Sequence, residues 1–465
     1  MKSSLAEIRP WLSQAVPANA GTDEVLREVM FTGVSTDSRN VSAGNLFVAL
    51  RGERFDAHEF LNDVAARGVA AVVAERLPEG FALPALVVPD TRTALAESAT
   101  GWRRKFSMPV IAVTGSNGKT TVKEMIASIL AAAFGENHLA TRGNLNNDIG
   151  VPLTVFRLDE SMQAAVIELG MNHPGEIALL ASIAQPTVAL VNNAQREHQE
   201  FMESVEAVAR ENGAVLRALP TNGTAVFPAG DAYTGLWRGY AAEGGRNVMT
   251  FGLTADADVA GSYVANDFGS ELSIRTASST FKVKLAAAGE HNVRNALAAT
   301  ACALAAGIPV EAVVRGLESF SPVSGRLQRK TARTGAIVID DTYNANPDSV
   351  RAAIDVLANA ASPRVLVLGD MGEVGNEGPK FHDEVGAYAK ARGIDRLLAL
   401  GELARHSVAA FGTNAEHFDD IDALNSKAEA LAAAGSTLLI KGSRFMKMER
   451  VVQHLVNQTP VQEAH

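Results

Sequence analysis

At 465 residues the chain is too long for one hydrophobic core, and at roughly 150 residues per domain it should hold three. Apolar residues make up 47% of it and the net charge is −10 with no basic run, which argues against binding to a nucleic-acid backbone. No apolar run approaches the roughly 18 residues of a membrane span. The first residues, M-K-S-S-L-A-E-I-R-P, carry no signal-peptide segment, and Cys302 is the only cysteine, so a cytoplasmic chain without internal disulfides is expected.

From about residue 25 to 105, short apolar runs (L46-F-V-A-L50, V69-A-A-V-V-A74, A85-L-V-V88) alternate with helix-like stretches such as H58-E-F-L-N-D-V-A-A-R67. The polar segment from Gly101 to Pro109 reads as a linker. A second α/β set follows: strand V110-I-A-V-T114, a glycine-rich loop, a helix over 120–133, and strands A164-A-V-I-E-L169 and T187-V-A-L-V191. Between 250 and 286 the period drops to two, as in F281-K-V-K-L285, predicting a small antiparallel insertion. An alanine-rich helix is expected from His291 to Ala306 and a boundary around S321-P-V-S-G-R326. A third α/β set runs through A336-I-V-I-D340, R364-V-L-V-L-G369, L397-L-A-L-G401 and T437-L-L-I-K441, and V456-N-Q-T-P-V-Q-E-A-H465 reads as a loose tail. The expected domains are therefore 1–107, 108–321 and 322–465.

The stretch V113-T-G-S-N-G-K-T-T-V-K-E-M125 looks like a phosphate loop, but G-x-x-x-x-G-K-[ST] would put its first glycine at position 113, where valine stands. The glycine is instead Gly115, three residues before Gly118. A buried strand leading into Gly115, Ser116, Asn117 and Gly118, with a helix right after, turns successive backbone N–H groups and the helix N-terminus toward one anion. Lys119 adds a point charge for the outer phosphates, and the Thr120 hydroxyl suits Mg²⁺. The competing reading is a glycine turn with a chance lysine, and the loop alone indicates a nucleotide, not a reaction. Glu168 ends an otherwise apolar strand, where a carboxylate faces the ligand crevice of a parallel sheet and suits a hard cation; a solvated strand-end acid is the alternative. His198, in V191-N-N-A-Q-R-E-H198, follows the next strand, and by itself reads equally well as structural.

Six stretches then occur in order: T114-G-S-N-G-K-T-T121, T141-R-G-N-L-N-N-D-I-G-V-P-L-T154, E168-L-G-M-N-H-P-G-E-I177, H291-N-V-R-N-A-L-A-A299, D340-D-T-Y-N-A-N346 before Pro347, and I440-K-G-S-R-F-M-K-M-E449. Together they resemble the Mur ligases, ATP-dependent amide-forming enzymes of peptidoglycan synthesis, over about residues 34 to 450. That family uses the shortened G-x-x-G-K-T loop. The resemblance implies an N-terminal α/β nucleotide-sugar domain, a central P-loop domain with a parallel sheet, and a C-terminal Rossmann-like α/β domain. G33-V-S-T-D-S-R39 and N45-L-F-V-A-L-R-G52 are similar to the nucleotide-sugar domain shared by the ligases that add the third residue and the final dipeptide. The third-residue enzymes carry D-N-P-R where this chain has N344-A-N-P-D-S349, and G143-N-L-N-N-D-I-G-V151 and L368-G-D-M-G-E-V-G375 are like the dipeptide-adding branch.

The resemblance implies a reaction in which a UDP-N-acetylmuramoyl-tripeptide carboxylate attacks the γ-phosphate of ATP and the resulting acyl phosphate is captured by D-Ala-D-Ala. It implies roles as well. Lys119 meets the transferring phosphoryl, with Thr121 completing the loop, while Thr120 and Glu168 hold one Mg²⁺ and His198 a second. Asn292 and Asn295 contact adenine, and Arg326 and Asp341 reach ATP from the third domain. Asn144, Asn146, Asn147, Lys441, Ser443 and Arg444 face the substrate, and Ser38 and Arg39 the UDP moiety. A polar turn is the competing reading for the three asparagines, pairing with surface acids for Arg444, and a surface turn for Ser38 and Arg39. A monomer is expected, with no nucleic acid and no membrane insertion. Many members carry a carbamylated lysine after the metal-binding histidine, yet there is no lysine here between Lys123 and Lys282. Glu211 or Asn212 falls at that place, so Glu211 is expected either to stand in for the carbamate or to face solvent. A simple P-loop NTPase would leave the first and third domains idle. A folylpolyglutamate synthase-like ligase lacks a domain like residues 25–105, and a non-catalytic module would be expected to lose Lys119 or Glu168.

Overall fold

The computed structural model describes residues 1–20, 23–197, 200–266 and 268–456. His198 and all but the first residue of the expected tail lie outside them. The described residues form three main sheets and one short ribbon pairing Lys2–Ser4 with Met30–Thr32. The first main sheet runs in the order Val16–Ala18, Ala85–Val87, Ala71–Ala74, Leu46–Val48, Val34–Ser35, parallel except at the Val16–Ala18 edge. Its central strands are buried on both faces, which is why they read as unbroken apolar runs.

The nine-stranded second sheet has Val110–Thr114 between Val188–Val191 and Ala164–Glu168, with His138–Ala140 at one edge. Beyond Val188–Val191 it continues in parallel through Thr224–Pro228, Asn247–Gly252 and Val259–Asn266. Gly269–Arg275 and Thr280–Leu285 then add antiparallel strands to the same sheet, so the expected insertion is its extension. The third main sheet, Gln328–Thr331, Ile337–Asp341, Thr437–Lys441, Arg364–Gly369, Arg396–Leu400, Ala415–Phe418, is parallel apart from its first strand.

The segment from Gly101 to Pro109 is not a free linker. Helix Thr91–Arg103 includes its first three residues. Trp102 is buried and donates from Nε1 to the Leu158 carbonyl (3.1 Å). The buried Arg103 guanidinium donates to the carbonyls of Ala184 (3.0 Å), Gln185 (3.1 Å) and Phe106 (2.5 Å). One continuous apolar core runs from Leu5, Phe31 and Leu95 through Val151 and Ile177 to Trp237, so the first sheet and one face of the second are packed as one body. A linker reading follows from polarity alone, and it fails because Arg103 finds buried carbonyls to satisfy its charge.

On the other face of the second sheet, helix Lys119–Phe134 packs against Glu290–Ala305 and Val310–Ser319. Gly316 permits this: a Cβ there would lie 2.4 Å from the Ile129 Cα. Backbone cannot rotate away, so the clash outweighs the roughly 1 kcal/mol gain in helix propensity. Gly316→Ala is expected to destabilise by about 1–3 kcal/mol, read as a lower urea midpoint.

Candidate active site

The C-terminal ends of the second and third sheets face each other across a cleft of about 720 Å³. Strand Val110–Thr114, every residue buried, delivers the loop to its rim. Gly115 (φ +134°) and Gly118 (φ +82°) both hold positive φ. A Cβ at Gly115 would sit 2.9 Å from the Asn192 Cβ, and one at Gly118 2.6 Å from Asn295 Oδ1, so only glycine fits. An amide chain surrounds the loop. Asn192 Nδ2 donates to Asn117 O (2.8 Å) and Asn295 Oδ1 (3.0 Å), and Asn295 Nδ2 donates to Asn292 Oδ1 (3.2 Å). Asn117 N donates to Asn193 Oδ1 (2.9 Å), and the Ser116 hydroxyl accepts from Gln195 N (2.9 Å). Lys119 curls back, donating to the carbonyls of Gly115 (2.5 Å) and Ser116 (3.2 Å) and to Glu197 Oε2 (3.2 Å).

Glu168 is 2% exposed. Its Oε1 accepts from the Thr120 hydroxyl (3.1 Å) and Asn146 Nδ2 (2.8 Å), while its buried Oε2 has no hydrogen-bond partner. An orphaned carboxylate oxygen beside a hydroxyl is a hard-oxygen donor set, and it fits Mg²⁺. Among the described residues no three His, Cys, Asp or Glu side chains cluster as a metal site, so the remaining ligands would come from phosphate and water.

Arg326 crosses from the third domain, donating from Nη2 to the Thr120 hydroxyl (2.9 Å) with its guanidinium 4.2 Å from the Tyr343 ring centroid. Asp341 Oδ2 accepts from Lys441 Nζ (2.6 Å), a buried pair that also ties Lys441 to Asn344 O (2.9 Å). Further contacts join the domains. Asn346 Nδ2 donates to Asn117 Oδ1 (2.9 Å), and Arg196 bonds both Asp348 (Nη2–Oδ1, 2.6 Å) and Glu384 (Nη1–Oε2, 2.7 Å). Hydrogen bonds from Arg196 lower the Glu384 carboxyl to about 2, overriding its burial, and Arg351 adds to the effect. Asp231, which also lines the cleft, has its pKa raised by burial.

The cleft thus gathers Ser116, Asn117, Gly118, Lys119, Thr120, Thr121, Asn146, Asn147, Glu168, Asn292, Asn295, Arg326, Asp341 and Lys441. Of the other described candidates, Gly115, Asn144, Ser443, Arg444, Ser38 and Arg39 do not line it, and His198 lies outside the described residues. Asn144 is exposed on its loop, and Ser443 is buried beneath the wall, where its hydroxyl accepts from Gly372 N (2.7 Å) and donates to Ala345 O (3.1 Å). Arg444 pairs with the partly exposed Glu449 (3.4 Å), and its guanidinium lies 5.9 Å from the ring centroid of Tyr343, which lines the cleft. Ser38 and Arg39 form a turn in the first domain, and Arg39, 78% exposed, pairs with Asp37 (2.9 Å). The cleft also gathers Asn192, Asn193, Arg196, Glu197, Asp231, Tyr343 and Asn346, to which neither spacing nor resemblance assigns a role. The first four follow a buried strand just as the residues after Glu168 do, and that placement was the available signal.

Three family models match the chain: "Mur ligase family, catalytic domain" over 30–103, "Mur ligase middle domain" over 113–303 and "Mur ligase, glutamate ligase domain" over 325–444. The chain belongs to the Mur ligase family. It is 41% identical to the UDP-N-acetylmuramoyl-tripeptide–D-alanyl-D-alanine ligase of Escherichia coli, over 92% of this chain and 94% of that protein. The crystal structure of MurF from Acinetobacter baumannii is similar at 34% identity and TM-score 0.91, covering 98% of this chain and 99% of that one. MurF ligase from Thermotoga maritima in complex with ADP is similar at 26% identity and TM-score 0.81, covering 91% and 96%.

In this Mur ligase the partly exposed Glu211 turns to a neighbouring helix and does not line the cleft. Its Oε2 accepts from Gly175 N (2.9 Å) and its Oε1 from Ile177 N (2.9 Å), capping helix Glu176–Ala184, whose orphan N–H groups and positive dipole end attract a carboxylate. Asn212 is the buried neighbour, accepting at Oδ1 from the Thr114 hydroxyl (2.6 Å). The expected carbamate replacement by Glu211 is therefore corrected: both its oxygens are engaged by backbone. Glu211→Ala should cost about 1 kcal/mol as a lost cap, lowering the melting temperature and leaving the Mg²⁺ dependence of nucleotide binding unchanged in calorimetry.

Proposed function

We propose that this chain is an ATP-dependent, ADP-forming ligase that joins D-Ala-D-Ala to UDP-N-acetylmuramoyl-tripeptide. The observation that carries the reading is the Lys119–Thr120–Glu168–Arg326 constellation, in a family member whose full-length relatives bear that activity in their names. The tripeptide carboxylate attacks the γ-phosphorus, the bond to the β-phosphate oxygen breaks, and ADP leaves. The dipeptide amine then attacks the acyl carbon, loses a proton and expels phosphate. Like charges meet in the first step, so positioning and charge neutralisation are what the protein supplies. Lys119 leaves its loop carbonyls and Glu197 for the transferring phosphoryl. Arg326 brings a second positive charge from the third domain, and Asn146 holds Glu168 in place. Asp231, Asn292 and Asn295 supply polar groups at the wall assigned to adenine. A magnesium ion held by Thr120 and Glu168, with a second near His198, would supply further neutralisation of phosphate charge.

Soluble nucleotide-linked substrates suit a cytoplasmic monomer divided near 107 and 321, and no helix among the described residues is long and apolar enough to cross a membrane. The test is phosphate release with UDP-N-acetylmuramoyl-tripeptide, ATP and D-Ala-D-Ala, each omitted in turn. Release should require all three. Release with ATP alone would indicate a simple NTPase, and release with a different amino acid in place of the dipeptide would indicate another ligase of the family. Lys119→Ala should lower kcat/KM by at least ~2 kcal/mol, about 30-fold. Near-normal turnover in that variant would remove Lys119 from the phosphate site.

A further inference from the structure

Lys123 lies one helical turn past Lys119 and is fully buried, among the largest side chains so enclosed. Its ammonium does not reach the cleft. Nζ donates to the Thr141 carbonyl (2.9 Å) and meets the half-exposed Glu124 carboxylate. Burying an ammonium is unfavourable, and an apolar residue of similar volume would fill the space without that cost. Inside the fold its charge is met by the Thr141 carbonyl, with the Glu124 carboxylate at the surface side.

Thr141 explains why that carbonyl matters. It is 2% exposed and follows strand His138–Ala140. Its N–H donates to Val166 O (3.1 Å), and its hydroxyl accepts from the Glu168 backbone N–H (3.0 Å). The loop that Thr141 opens returns at Asn146, whose amide donates to Glu168 Oε1 (2.8 Å) and whose carbonyl accepts from Gly170 N (2.8 Å). Glu168 is thus gripped at its backbone, at one carboxylate oxygen and two residues beyond, all from a loop rooted on Lys123. The free oxygen, Oε2, keeps its direction only while that grip holds.

We propose that Lys123 is a positioning residue: it fixes Thr141, and through it the carboxylate of Glu168, so that the Thr120–Glu168 pair is preset for a divalent cation. The inference rests on the cation-holding role of Glu168 proposed above. It is tested on the full chain by calorimetry of ADP binding with and without magnesium chloride, for the wild type, Lys123→Met and Thr141→Val. Each variant should keep its magnesium-free ADP affinity and lose about 10-fold or more of the magnesium-dependent gain, the usual effect of removing an outer-shell support. The double variant should lose little more than either single one, because both act through one chain of bonds. If Lys123→Met fails to fold, Thr141→Val by itself decides. Folded variants that match a magnesium-responsive wild type overturn this inference alone. A wild type whose ADP affinity ignores magnesium overturns the role of Glu168 and this inference with it.

Discussion

The hydroxyl of Thr120 is the point on which the rest of the site depends. It donates to Glu168 at 3.1 Å and accepts from Arg326 at 2.9 Å, so one side chain joins the phosphate loop, the neighbouring strand and the third domain. A hydroxyl can do this because it both donates and accepts. The loop must hold Thr120 there without side chains of its own in the way. Hence Gly115 and Gly118 stand where Asn192 and Asn295 press within 3 Å of any added Cβ. Opposite charges gather around this point in a buried setting, which is what a polyanionic ligand requires if its charge is to be neutralised away from bulk water.

The two domain junctions differ in kind, and the difference predicts where motion is possible. The first and second domains share an apolar core and the buried bonds of Trp102 and Arg103. Separating them would expose large apolar side chains at about 25 cal/mol per Å². The third domain meets the second largely through polar contacts at the cleft, Arg196 with Asp348 and Glu384, Asn117 with Asn346 and Arg326 with Thr120, and Phe268 of the second domain packs against its apolar core. Partly exposed pairs of this sort contribute roughly 0–1 kcal/mol each and exchange readily with water. Relative motion of the domains is therefore expected at the second junction rather than at the first.

Charge placement shows the same economy. Four acids near the cleft have four different neighbours. Glu168 keeps one oxygen unpaired, Glu197 faces Lys119, Asp341 binds Lys441, and Glu211 binds backbone N–H groups outside the cleft. Glu168 presents beside the Thr120 hydroxyl the open oxygen that a hard cation needs, so the same functional group performs different tasks according to what packs beside it.

Much of this was legible in the chain. The apolar runs at 110–114, 164–169, 364–369 and 437–441 are strands to within a residue, and the spacing of Gly115, Gly118, Lys119 and Thr120 specified an anion-binding loop, because periodicity and turn chemistry act between near neighbours. Asn292, Asn295, Arg326 and Asp341 were found only through resemblance, and the cleft does collect them. What the sequence could not decide was which partner a charged side chain would find. Arg103 looked like linker polarity until buried carbonyls some 80 residues away received it. Glu211 looked like a metal ligand or a solvated acid until the end of another helix received it, and Lys123 passed unnoticed inside a helix pattern. The reason is physical: a side chain's rotamer and periodicity are set locally, but its free energy as an ion is set by what surrounds it, and only the folded chain brings those surroundings together.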